Sequence, residues 1–137
     1  MSLVIDSSLT LAWLFADECT SATDALFRTV QGEGAIVPSL WRLEVANALE
    51  MAVRRKRVDA EFRDASLRDL SILPIVVDAE TDAHAWGATL SIAERCGLTL
   101  YDATYLELAQ RQRLPLGTLD ADLRKACRAM KIQVRPA

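Results

Sequence analysis

Apolar residues fall into two alternating patterns along the chain: short unbroken runs, and longer stretches in which they recur at helical spacing. Leu3-Val4-Ile5, Ala35-Ile36-Val37, Leu73 to Val77 (interrupted by Pro74), Leu116 to Leu119 and Ile132-Gln133-Val134 read as short strands. Between them the spacing predicts helices over Leu9 to Ala16, Thr20 to Val30, Ser39 to Arg54, Asp59 to Leu70, Ala79 to Arg95, Tyr101 to Arg113 and Ala121 to Met130. Gly32 and Gly34 stop the second helix, and Gly97 the fifth. The first, with Leu11, Ala12, Trp13, Leu14 and Phe15, is too apolar to face water all round and must pack on a sheet. Strands alternating with helices predict an α/β fold with a mostly parallel sheet covered on both faces.

Composition narrows the class. At 137 residues the expectation is a single domain spanning 1–137 with a real core. Apolar residues make up 51% and charged ones 26%, which excludes a disordered chain, and no apolar run is long enough to span a bilayer. Met1-Ser2 leads straight into the first strand with no targeting segment, so a cytoplasmic location is expected. Cys19, Cys96 and Cys127 are odd in number and widely spaced, arguing against disulfides or a thiolate zinc site and for ordinary buried thiols. His84 is the only histidine, which excludes any multi-histidine metal site, and without a G-x-S-x-G elbow it reads as structural or surface. The net charge of −3 does not advertise a nucleic-acid binder, although basic residues cluster at Arg54-Arg55-Lys56-Arg57 and over Arg124, Lys125, Arg128, Lys131 and Arg135. Those clusters are solvated helix ends or, if the acids below are catalytic, phosphate contacts.

Four acids stand out. Asp6 ends the first strand and is followed by the hydroxyls Ser7 and Ser8; Asp120 ends the fourth, with Thr118 before it. Acids at the carboxyl ends of strands are either helix caps or members of the edge where α/β sheets gather their chemistry. Glu44 lies off the arc shared by Arg42, Glu50 and Arg54, among Leu40, Ala48 and Met51, so it points into apolar company. Asp102 shares a face with Tyr105, Leu106 and Ala109, while Glu107 and Arg111 are expected on the opposite, solvated side. In a parallel sheet all four can meet at one edge. Four clustered carboxylates repel unless a cation sits among them, and an all-oxygen set suits Mg²⁺ or Mn²⁺ and hence phosphoryl chemistry. Asp122 is a first-turn acid or an outer ligand of the same site.

The stretches Val4-Ile5-Asp6-Ser7-Ser8 with Trp13-Leu14, Val37-Pro38-Ser39-Leu40 leading to Leu43-Glu44-Val45-Ala46-Asn47-Ala48-Leu49, Leu98-Thr99-Leu100-Tyr101-Asp102-Ala103-Thr104-Tyr105-Leu106 with Leu108-Ala109, and Leu114-Pro115-Leu116-Gly117-Thr118-Leu119-Asp120 occur in one order over nearly the whole chain. In these the sequence resembles PIN-domain proteins, and within them VapC-type toxins of type II toxin–antitoxin pairs. The resemblance implies a three-layer α/β/α sandwich with a roughly five-stranded sheet. It also implies metal-dependent cleavage of single-stranded or loop RNA, with Asp6, Glu44, Asp102 and Asp120 as catalytic residues and metal ligands. A homodimer inhibited by a small VapB-like antitoxin goes with it. Ser7 and Thr118 are candidates to hold water or a scissile phosphate oxygen. Leu119 departs from the pattern, standing where small or polar residues are common.

Two other classes compete. An aspartyl-phosphate enzyme also starts from an acid after the first strand, but Asp6 lacks the second Asp two residues on that the haloacid-dehalogenase pattern needs, and no Lys follows a late strand as in receiver domains. The alternative outside enzymology is a catalytically silent PIN-like scaffold that binds RNA or a protein partner.

Overall fold

The computed structural model describes residues 1–137. Its elements are β1 (Val4–Ile5), α1 (Ser7–Leu14), α2 (Ser21–Glu33), β2 (Ala35–Val37), α3 (Trp41–Arg54), α4 (Ala60–Ile72), β3 (Ile75–Val77), α5 (Ala88–Cys96), α6 (Leu100–Gln112), β4 (Leu116–Gly117), α7 (Ala121–Met130) and β5 (Val134–Arg135). All strand pairings are parallel and the order is β3-β2-β1-β4-β5. Seven helices flank this five-stranded sheet as the alternating pattern requires: α1 packs on α2 and α3, α3 on α4, and α6 on α5, α7, β1 and β4.

Sequential strands spread from β1 in both directions, so the chain reverses its winding between β1 and β4. That reversal opens a crevice at the strands' carboxyl ends. The register Val4↔Leu116 and Ile5↔Gly117 makes β1 and β4 finish together there. Val4, Ile5, Leu9 and Leu116 have no exposed surface, so the crevice rests on the best-packed part of the core. Burying such side chains stabilises by about 1.5–3 kcal/mol each. Gly117 permits the closeness: a Cβ there would lie 2.7 Å from Leu9 Cδ2 and 3.0 Å from Leu3 Cδ1.

Three expectations need correction. Residues 79–95 are not one helix: a single 3-10 turn, Asp82–His84, is separated from α5 by the Trp86-Gly87 bend. Gly87, at φ −113° and ψ −107°, leaves helical geometry, and Thr81 is drawn off to bond Asp78 and Ser39. Second, β4 stops at Gly117, so Thr118 and Leu119 lie in the turn beyond it. Third, of the thiols only Cys127 is buried, and Cys19 is exposed. No helix is long and apolar enough to cross a membrane.

Candidate active site

Asp6 leaves β1 directly into α1 and caps it, its Oδ1 accepting from the Leu9 N–H at 3.0 Å. Asp120 does the same for α7, accepting from the Leu123 N–H at 2.9 Å. Cap and site are therefore one device: the extended cap conformation aims a carboxylate off the sheet's edge while satisfying an orphan amide. Glu44 and Asp102 sit in the first turns of α3 and α6. Thr99 caps α6, accepting from the Asp102 N–H at 3.1 Å, which fixes the turn that carries Asp102.

Asp6 is 3% exposed, and its carboxylate is held by hydroxyls as well as the backbone. Ser8 Oγ donates to it at 2.7 Å, and Thr118 Oγ1 makes a short bond to Oδ2. Ser8 in turn accepts from the Leu119 N–H at 2.9 Å, and Thr118 from the Asp120 N–H at 3.0 Å. Two hydroxyls thus lace Asp6 to the Asp120 turn across the crevice. Hydrogen bonds to a charged group contribute about 1.5–3 kcal/mol each, against several kcal/mol for desolvating a carboxylate. Burial prevails: it pushes the Asp6 carboxyl up, against the pull of Thr118, the Leu9 N–H and Ser8, and the charge of Asp120 adds to the rise.

Glu44 and Asp102 behave alike. Glu44 is raised by burial and by the charges of Asp102 and Asp6, with the Tyr105 hydroxyl opposing. Asp102 is raised by burial and by Asp120 and Asp122, with Thr99 opposing. Each acid feels another across the crevice, so Asp6, Glu44, Asp102, Asp120 and Asp122 share one electrostatic neighbourhood. None forms an ion pair, since every Arg and the His in such a pair goes elsewhere. No three of the acids close into a ready-made cage.

The PIN domain profile matches residues 3–129, which takes in all of these acids. The chain belongs to the PIN-domain family. Among solved structures it is similar to PAE2754 from Pyrobaculum aerophilum, with a TM-score of 0.69 and 25% identity over 92% of this chain and 79% of that one. No curated protein matches its sequence significantly. PIN domains are in general nucleases that act on RNA and usually use divalent metals, so a nuclease-type function comes with membership.

In this PIN domain several residues of the acidic edge escaped the sequence pattern. The hydroxyl that reaches Asp6 is that of Ser8, while Ser7 makes no side-chain hydrogen bond. The two-residue offset from an N-cap is what swings Ser8 back over it. Tyr105, 1% exposed, donates a short hydrogen bond to Glu44 Oε1, joining α6 to α3. Burial first, then the Glu44 bond and charge, hold its hydroxyl protonated far above the usual phenol range.

Glu107 and Arg111 contradict the wheel. Glu107 is 5% exposed, and Arg111 binds it at 2.8 Å and Asp78 at 2.6 Å, both inside the fold. Thr81 Oγ1 joins Asp78 (3.2 Å) to the Ser39 N–H (3.0 Å), just before α3. The basic clusters are partly spoken for as well. Arg57 pairs with Asp17 and Glu18 and lies 4.0 Å over the Phe15 ring. Arg124 folds back to donate to the Thr118 carbonyl at 2.9 Å and the Pro136 carbonyl at 2.7 Å.

Proposed function

We propose that this PIN domain is a Mg²⁺- or Mn²⁺-dependent endoribonuclease whose catalytic residues are Asp6, Glu44, Asp102 and Asp120. The observation that carries the reading is Asp6: a carboxylate 3% exposed, without a cationic partner, and within reach of the charge of Asp120, the cap of α7. An uncompensated all-oxygen donor set fits a hard dication and no soft one. Asp6, Glu44, Asp102 and Asp120 would hold it, and when bound it supplies charge neutralisation for a phosphodiester and acidity for a water.

The chain's own groups do the positioning. Thr118 and Ser8 fix the Asp6 rotamer, and Tyr105 fixes that of Glu44, so two ligands arrive oriented. Thr118, expected from the sequence to hold a phosphate oxygen or a water, has no exposed surface and spends its hydroxyl on Asp6 and the Asp120 N–H, so only half-buried Ser7 lines the approach, and Asp122 stands in the outer ring. The raised carboxyls keep the edge from binding a cation well in acid and favour it near neutrality.

Likeness to the VapC-type sequence pattern supports a toxin role in the cytoplasm, as a homodimer held silent by a VapB-like antitoxin. The experiment is cleavage of tRNA, rRNA fragments and unstructured RNA by the purified chain, with Mg²⁺ or Mn²⁺ against EDTA, beside Asp102→Asn. Cutting that needs the metal and vanishes in the variant supports the nuclease. RNA binding without cutting by either form, together with no Mn²⁺ binding, supports the silent scaffold instead.

A further inference from the structure

A large apolar side chain stands exposed immediately before each of three site acids: Leu43 (74%) before Glu44, Tyr101 (66%) before Asp102 and Leu119 (40%) before Asp120. Two of them share a groove of about 350 Å³ whose lining is Leu40, Leu43, Glu44, Asn47 and Tyr101. Exposed apolar residues scattered singly need no explanation, but here they rim an acidic edge, where charge would be the expected neighbour. Asn47 is exposed and its side chain makes no hydrogen bond within the chain, so its amide presents both a donor and an acceptor to whatever enters.

We infer that this groove is a nucleobase subsite, in which an unpaired base next to the scissile phosphate packs between Tyr101 and Leu43 with its polar edge toward Asn47. The inference rests on the nuclease reading of the adjoining acids. Continuity argues for the occupant: Glu44 belongs to both the groove and the acid set, so a phosphate brought to the acids leaves the base of a flanking nucleotide at the groove's mouth. A base has two apolar faces and a hydrogen-bonding rim, which matches an aromatic ring, an aliphatic side chain and a free amide. Apart from Glu44 the groove's lining is uncharged, so it offers no cationic group to hold a phosphate. A base inside a duplex is already stacked and cannot enter, so the subsite selects single-stranded or looped RNA.

The test uses a fluorescein-labelled single-stranded RNA of mixed sequence and its duplex, bound to the Asp102→Asn chain with Mn²⁺ and followed by anisotropy. Adding Tyr101→Ala should weaken single-strand binding by roughly five- to a hundredfold, the range for removing one stacked base. Leu43→Ala should weaken it less, and Tyr101→Phe should keep affinity within about twofold, since the ring and not the hydroxyl does the stacking. In the otherwise unaltered chain Tyr101→Ala should raise KM more than it lowers kcat. Equal affinity in the parent and Tyr101→Ala, while the unaltered chain still cuts RNA, overturns the subsite and leaves the nuclease standing. A Tyr101→Ala chain that loses self-association in light scattering but keeps its RNA affinity per protomer assigns the groove to a second copy, and likewise overturns it. If the parent neither binds nor cuts any RNA, the nuclease reading falls and the subsite with it.

Discussion

Thr118 has no exposed surface and one proton to give. The proton goes to Asp6, a lone pair takes the Asp120 N–H, and the Ser8 hydroxyl, 3.3 Å away, gives its own proton to Asp6. One methyl-for-hydroxyl change therefore loosens two acids without altering the volume of the core. Thr118→Val should cut Mn²⁺ affinity about 10- to 100-fold, as loss of a ligand-orienting partner does, with Thr118→Ser close to the parent; titration calorimetry checks both. Tyr105→Phe acts on the other side of the crevice. The hydroxyl lowers the Glu44 carboxyl, so removing it lets burial raise Glu44 further. The acid limb of the pH–rate profile should then move to higher pH, and an unmoved limb would show that Glu44 is not the group being titrated.

At the scale of elements, the Asp78–Arg111–Glu107 cluster fastens α6 to the end of β3 and, through Thr81, to the start of α3. Burial alone would raise Asp78, but hydrogen bonds from Arg111, the Glu80 N–H and Thr81, with the Arg111 charge, carry it below the ordinary carboxylate range. Arg111→Met leaves two buried carboxylates without a cation and should cost about 3–5 kcal/mol in urea unfolding. This cluster also marks where the sequence stops being legible. Short apolar runs, and helices stopped by Gly34 and Gly97, are local signals, so all five strands and most helices are found in the expected order, although β4 ends two residues early and β5 lies at Val134–Arg135 rather than over Ile132 to Val134. A helical wheel knows only its own helix, and it puts Arg111, and Glu107 with it, in water because the second partner of Arg111, Asp78, lies 33 residues away in the chain. For the same reason Asp102's inward face was readable while the Tyr105–Glu44 bond, across 61 residues, was not. Ser8 was missed differently: its role depends on the cap geometry of Asp6, which composition at adjacent serines does not distinguish.

Over the whole molecule the acids pull stability in opposite directions with pH. Asp6, Glu44 and Asp102 have folded pKa values raised above their unfolded ones, so the stability they contribute is complete below the unfolded values, near pH 4, and is lost as pH rises through the folded ones. Asp78 has a lowered value, so its contribution is present above the unfolded pKa and is lost as pH falls through the folded one. The metal-free chain should therefore be most stable in weak acid and lose stability toward pH 7, as the raised carboxyls of Asp6, Glu44 and Asp102 ionise. A dication bound among the acids reverses the second trend, because it binds only the ionised folded form. The rise in Tm produced by Mn²⁺ should accordingly be larger at pH 7 than at pH 5. Asp102→Asn separates this from a general salt effect: removing one of the repelling charges should raise the metal-free Tm at pH 7, by a few degrees in a domain of this size, and shrink the Mn²⁺ increment. Equal increments in the parent and the variant would mean that the ion binds elsewhere. A metal-free Tm that climbs from pH 5 to pH 7 would mean that the carboxylates do not strain the fold, and the charge carried at the crevice would then have to be balanced by protein groups alone.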